Sequence, residues 1–241
     1  MTATAKMALV LKPTLEQLKS MTMLKVIRKR NAIWCIDYKT KFVLYIEPRL
    51  SFRGYFLDVA VSIASFYRGI DYCIKPKGLY LGDCIKYDVE PDFQTLLQLQ
   101  TTEQLAMLCQ EQAANVNCWL KDNIILPISH VTDYSSFIRA SECIGKFRHP
   151  TLAPPLVAWD YLGMNERQRA EQYLESQINK AVWRDLNLPL PIKCIQEKRV
   201  IGALSDSELC EELLKREQKT VSALKSYFGS SIWNSLQDSN S

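Results

Sequence analysis

Histidine and glycine are the scarce residues in this chain of 241, which holds 2 of the first and 8 of the second. The scattered glycines supply no phosphate cradle. No Gly-x-x-x-x-Gly-Lys-Ser/Thr loop occurs, and no Gly-x-Gly-x-x-Gly follows an apolar run. A Gly-x-Ser-x-Gly elbow, a His-Glu-x-x-His pair and an EF-hand loop are missing as well. Long apolar runs are also missing: none reaches the roughly 18 residues that a bilayer-spanning helix needs. The longest, around Phe42 to Ile46 and Tyr55 to Ala64, have the length of strands. The N-terminal apolar piece is short and is interrupted by Lys12 and Pro13, unlike the centre of a secretory signal. Residues 1–6 are therefore expected to be a frayed end, and the chain is assigned to the cytoplasm without a membrane partner.

Cysteine is plentiful but unpaired in pattern. Cys35, Cys73, Cys84, Cys109, Cys118, Cys143, Cys194 and Cys210 form no Cys-x-x-Cys, and neither histidine stands at zinc-finger spacing from them. In a chain of this size without a signal, buried free thiols are the expectation, with no metal and no cofactor.

What is present is the composition of a folded protein: 47% hydrophobic and 23% charged residues. The length suits one large domain, or a domain with an appendage. The net charge of +4 is uneven. Residues 1–90 hold 15 Lys/Arg against 8 Asp/Glu, and residues 91–241 hold 15 against 18. A basic N-terminal part suits an acidic partner, and a solvated basic face with no partner accounts for the excess at least as well.

Pro13 suits the first turn of a helix, and Leu15, Leu18 and Met21 continue at helical spacing, which predicts a helix over residues 14–23. Residues 25–30 read as a charged passage out of it. Then the pattern becomes β-rich. Residues 32–38, 42–47 and 55–64 are predicted strands, the first two joined by a Lys39-Thr40 turn into a hairpin. The third is too apolar for a solvated face and is expected to be central. Short strands are expected near residues 72–74 and 79–81, and an edge strand within 84–89.

From Thr102 the period is helical. Leu105, Leu108, Cys109, Ala113, Val116 and Leu120 predict a helix over 102–121. Residues 124–128 read as a buried connector, and Thr132 or Asp133 caps a further helix to about residue 143. Prolines 150, 154 and 155 mark a loop or boundary. Asn165 is an expected N-cap for a helix carrying Tyr173, Leu174, Ile178, Ala181 and Val182, stopped by Pro189 and Pro191. A last helix begins at the Ser205/Glu208 capping box and ends near Phe228-Gly229. Strands first and helices after specify an α+β protein. The expected architecture is an antiparallel sheet from an N-terminal meander, covered on one face by helices, over residues 8–145. A helical extension or subdomain over 151–229 and a polar tail over 230–241 complete it.

Three groups of residues bear on chemistry. Asp37 and Lys39 on one side of a strand, with Asp58 on the third strand, have the residue types of a metal-dependent nuclease. A turn at the end of a strand accounts for Asp37 and Lys39 better than a metal site does. Cys143 with His130 or His149 would make a nucleophile pair only if the fold brought them together. Finally, Arg28, Lys29, Arg30, Lys39, Lys41, Arg49 and Arg53, with Trp34, Tyr38 and Phe52 nearby, form a basic and aromatic group suited to a protein or a nucleic acid of negative charge, although β propensity explains the aromatics as readily.

The leading helix, the strand pair and the run Phe56-Leu57-Asp58-Val59-Ala60-Val61-Ser62-Ile63 resemble a bacterial domain-of-unknown-function family. The helix from Leu105 to Leu120, the Ile124-Leu126-Pro127 segment and the helix at Tyr134-Ser135-Ser136-Phe137 extend the resemblance, which covers residues 8–140. The Gly-Phe that often ends that family's first helix is replaced here by Val26-Ile27-Arg28. Members lie beside toxin genes. The resemblance therefore implies an immunity-type protein that neutralises a protein partner and catalyses nothing. Two other readings stand beside it: a nucleic-acid enzyme or binder using the N-terminal half, and an assembly protein using its C-terminal helices.

Overall fold

A computed structural model describes residues 2–21, 24–51, 56–68, 74–75, 78–79, 85–87, 101–145, 154–179 and 190–237. The fold is α+β. Its elements are α1 (Ala3–Lys19), β1 (Lys25–Lys29), β2 (Ala32–Asp37), β3 (Phe42–Ser51), β4 (Phe56–Ser65), β5 (Ile74–Lys75), β6 (Gly78–Leu79) and β7 (Ile85–Tyr87). Eight helices follow among the described residues: α2 (Thr102–Leu120), α3 (Leu126–Ser129), α4 (Tyr134–Gly145), α5 (Pro154–Gly163), α6 (Arg167–Ile178), α7 (Leu190–Ala203), α8 (Asp206–Phe228) and α9 (Ser230–Gln237). The chain divides into two compact units. One holds residues 1–63 and 84–149, and the other residues 64–83 and 150–241.

The first unit is built on a sheet of order β1-β2-β3-β4-β7. The meander expected from three β-rich runs is there, with β4 central and β7 at the edge. The charged passage at residues 25–30 is instead a strand. Lys25 pairs with Ile36 and Lys29 with Ala32, across a two-residue turn at Arg30-Asn31. Period-two alternation was hidden there because an edge strand has little to bury. Every residue of β2 is buried, so both of its faces are covered rather than one. Trp34 lies 4.6 Å from the Tyr45 ring on one face, and Phe42 stacks at 4.8 Å on Phe137 of α4 on the other.

Helix α1 begins at the Thr2 cap, so residues 3–6 are helical and not frayed, and Pro13 sits inside the helix. A proline there strips its own N–H from the ladder and leaves the Leu9 carbonyl without its usual donor. The Asn117 side chain of α2 supplies one, at 3.0 Å. Helix α2 matches the predicted span and opens on a capping box between Thr101 and Gln104. Residues 124–128 are helical and not a connector. A π-helical turn, Lys121–Ile125, leads directly into α3, and the Leu126 N–H donates to the Lys121 carbonyl. The wider turn comes immediately before Pro127, which has no N–H to give. Ile124, Ile125 and Ile128 are buried as expected. Asp133 caps α4 by accepting from the Ser136 N–H at 2.7 Å.

Among its described residues the second unit is helical apart from the β5–β6 pair and the last residues of β4. Helices α5, α7 and α9 go beyond the expected set. Asn165 is not a cap: it takes φ 62 in the turn between α5 and α6. Pro191 falls in the first turn of α7, where a proline is tolerated, and so opens a helix. Residues 230–237 are helical with Trp233 buried, in place of the expected tail. Helix α8 runs from the Ser205/Glu208 capping box to Gly229, as the sequence specifies.

Deep in this unit Arg68 and Asp160 are exposed by only 4% and 1%. The Arg68 Nε and Nη2 donate to Asp160 Oδ2 at 2.7 and 2.5 Å, and the Ser65 hydroxyl donates to Oδ1 at 2.5 Å. The Thr220 hydroxyl donates to the Phe66 carbonyl at 2.8 Å. Nearby, the Arg216 guanidinium lies 3.6 Å above the Trp159 ring, while Glu197 accepts from the Trp159 indole N–H. Burial pulls Arg216 below its ordinary pKa, and Glu197 and Glu212 oppose that pull.

Candidate binding edge

Asp37 ends β2 and is 6% exposed. Its Oδ1 accepts from the Lys39 N–H at 2.8 Å, and its Oδ2 accepts from the Thr40 hydroxyl at 2.6 Å. Both oxygens thus brace the four-residue link to β3, where Lys41 adopts φ 54. A side-chain oxygen bonded two residues on is the geometry that Asp supplies in turns. Lys39 is exposed on that link. Asp58 lies on β4, and its side chain is outside the described residues. Among the described residues no three His, Cys, Asp or Glu side chains are grouped to hold a metal.

The described thiols are Cys35, Cys109 and Cys194, all buried, and Cys118 and Cys210, both exposed, so burial is not general. All five are free. Burial raises the pKa of Cys35, and it raises that of Cys194 to about 11 with help from Glu197. Such thiols stay protonated and make poor nucleophiles. His130 is exposed at the end of α3, and the Cys143 side chain and His149 lie outside the described residues.

The basic residues are gathered by the sheet. Arg28 and Lys29 end β1, and Arg30 opens the turn into β2. The β2–β3 register pairs Ile33 with Ile46. Arg49 lies farther along β3, beyond the residues paired with β2. Arg53 lies outside the described residues.

The register also separates these residues. Successive side chains of a strand point to opposite faces. Arg28 stands opposite Ile33, and Lys29 opposite Ala32, on different sides of the sheet. Arg49 shares the face of Glu47, with which it forms an ion pair at 2.6 Å. What Arg28, Lys29 and Arg30 share is therefore the sheet edge and its turn, not one flat face. Arg28 and Arg30 are exposed and have no carboxylate partner among the described residues. Partial burial, then the neighbouring Arg30 cation, hold the Lys29 ammonium below its ordinary pKa. Arg30 adopts φ 57, a conformation that glycine or asparagine takes with less strain than a long side chain does.

Trp34 is fully buried and Tyr38 half-buried, so the Trp34 ring belongs to the core rather than to a stacking platform. No helix among the described residues is long and apolar enough to cross a membrane. Comparison with protein-family models, with curated proteins and with solved structures gives no match.

Proposed function

We propose that this chain is a non-catalytic binding protein that engages an acidic protein partner through the basic edge of its sheet. The observation that carries this reading is the pair of exposed guanidinium groups, Arg28 and Arg30, without carboxylate partners among the described residues and beside Lys29. Charges of this kind accelerate encounter with an oppositely charged surface, and the acceleration fades as salt rises. An immunity-type role, in which the partner is neutralised by being covered, agrees with the family resemblance of residues 8–140.

The test compares wild type with the triple reversal Arg28→Glu, Lys29→Glu, Arg30→Glu. Partners retained from the native cell by the wild type are identified, and the association rate of each is measured over a salt series. Loss of a specific acidic protein on reversal, with a salt-dependent rate in the wild type, is the expected result. Retention unchanged by the reversal would refute the reading. An oligonucleotide arm separates the nucleic-acid alternative, in which the reversal weakens oligonucleotide binding and flattens its salt dependence, because fewer cations neutralise phosphates.

A second reading, assembly through the C-terminal helices, is favoured by Ile192, Ile195 and Val200 of α7, exposed by 60%, 37% and 49%. Sedimentation of wild type against Ile192→Lys tests it. An oligomer in the first that dissociates in the second is required.

A further inference from the structure

We infer that β1 receives an added strand: an extended segment of the partner, carrying adjacent carboxylates, pairs with Lys25–Lys29 along the sheet edge. The inference rests on the proposed binding function and specifies the partner chemistry. Strand β1 stands at the end of the sheet order and has β2 as its only strand neighbour among the described residues. Alternate residues of an edge strand direct their backbone N–H and C=O groups away from the sheet, where another extended chain pairs with them.

Charge chooses the occupant. Arg28 and Lys29 are adjacent and point to opposite faces, so a partner lying on one face meets only one of them. A strand laid along the edge meets both, because its own successive side chains also alternate. Two consecutive acidic residues then stand beside Arg28 and Lys29. Arg30, in the turn that follows, adds a further cation next to the end of the same strand. A second copy of this chain fits poorly. An antiparallel β1–β1 pair centred on Ile27 would set Lys25 opposite Lys29, and like charges directly opposed are destabilising. The same cations that repel a copy attract an acidic strand.

The experiment uses the full chain and three short synthetic peptides: a Thr/Val peptide with a central Glu-Glu, its Lys-Lys counterpart, and the Glu-Glu peptide N-methylated on alternate residues to prevent strand pairing. Amide hydrogen exchange across residues 25–29 and titration affinities are recorded. The Glu-Glu peptide is expected to slow exchange in β1 and to bind roughly tenfold more tightly than the Lys-Lys peptide, as two cross-strand charge pairs would give. The N-methylated peptide is expected to leave β1 exchange unchanged. In the variant Arg28→Glu, Lys29→Glu, checked for the native circular dichroism spectrum, the preference is expected to invert.

Equal binding of the N-methylated peptide, or binding without protection of β1, overturns strand addition. So does the absence of protection at millimolar Glu-Glu peptide. Each of these results leaves the basic-edge reading standing if the native partner is still lost on triple reversal. Retention of that partner on reversal removes the reading as well. Tight oligonucleotide binding that competes with the Glu-Glu peptide without protecting β1 assigns the edge to nucleic acid and overturns the inference.

Discussion

The Asn117 side-chain amide donates at 3.0 Å to the carbonyl of Leu9, the group that Pro13 leaves without its normal helical donor. Asn117 Oδ1 also receives the Thr14 hydroxyl at 3.4 Å. One residue of α2 thereby repairs the break in α1. Asn117→Ala is expected to lower stability by about 1–3 kcal/mol, the range for leaving a polar group without its bond. In a Pro13→Ala background residue 13 regains an N–H that reaches Leu9, so the same substitution should cost clearly less. Denaturant titration of the four proteins gives the coupling, and equal costs in both backgrounds would exclude the repair.

Arg68 and Asp160 make the corresponding test in the helical unit. Removing either partner strands a buried charge, with an expected loss of about 3–5 kcal/mol. Arg68→Met combined with Asp160→Leu should lose much less than the two single losses together. Strict additivity in chemical denaturation would show that the pair does not act as a unit.

Glycine offers a contrast within the same unit. Gly229 ends α8 at φ 86, ψ 154, a region essentially reserved for glycine. Gly229→Ala should therefore destabilise by about 1–3 kcal/mol although no atom stands within 4 Å of the added carbon. Gly202, near the end of α7, has the same open surroundings and no positive φ. Gly202→Ala should be neutral or stabilise by up to about 1 kcal/mol. Equal shifts in melting temperature for the two variants would contradict this.

Thiol chemistry should divide by burial. Without denaturant, Cys118 and Cys210 are expected to react readily, while Cys35 and Cys194 wait for unfolding. After denaturation without reductant, a titration should recover all 8 thiols. Because the folded pKa of Cys194 is raised from 9.0 to about 11, its protonated form favours the folded state. That contribution is complete below about pH 9 and is lost as the pH rises towards 11. Cys194→Ala should flatten the decline of stability over this window, and an unchanged slope would contradict the assignment.

Asp37 should behave as a turn residue. Asp37→Ala removes two hydrogen bonds at a buried position and is expected to cost about 1–3 kcal/mol. Any shift of melting temperature produced by manganese should be the same in wild type and variant. A metal-dependent shift present only in the wild type would restore the metal-binding role.

Much of the fold was legible locally. The strands at Ala32–Asp37, Phe42–Ser51 and Phe56–Ser65 are dense in β-branched and aromatic residues. Helices α2 and α8 show both apolar periodicity and capping boxes. Elements that lack one of these signals were harder to read. Strand β1 carries three basic residues in five, and α9 is only eight residues long, with Trp233 buried and Ile232 exposed. Helix α1 reads as starting at its proline because a proline inside a helix is normally excluded, and its compensation lies on another helix. The residues of the candidate edge were legible as a basic group, but their division between two faces was not.

Composition and pattern by themselves determined the α+β class, the meander and the two long capped helices. These depend on neighbours within one turn or one strand, where propensity and periodicity act. Tertiary structure decided what depends on register and distant partners. It assigned both Asp37 oxygens to a turn, gave Asn117 to the Leu9 carbonyl and buried Arg68 against Asp160. The physical reason is range: a hydrogen bond or an ion pair forms between groups that meet in space, and chain order alone does not fix that meeting.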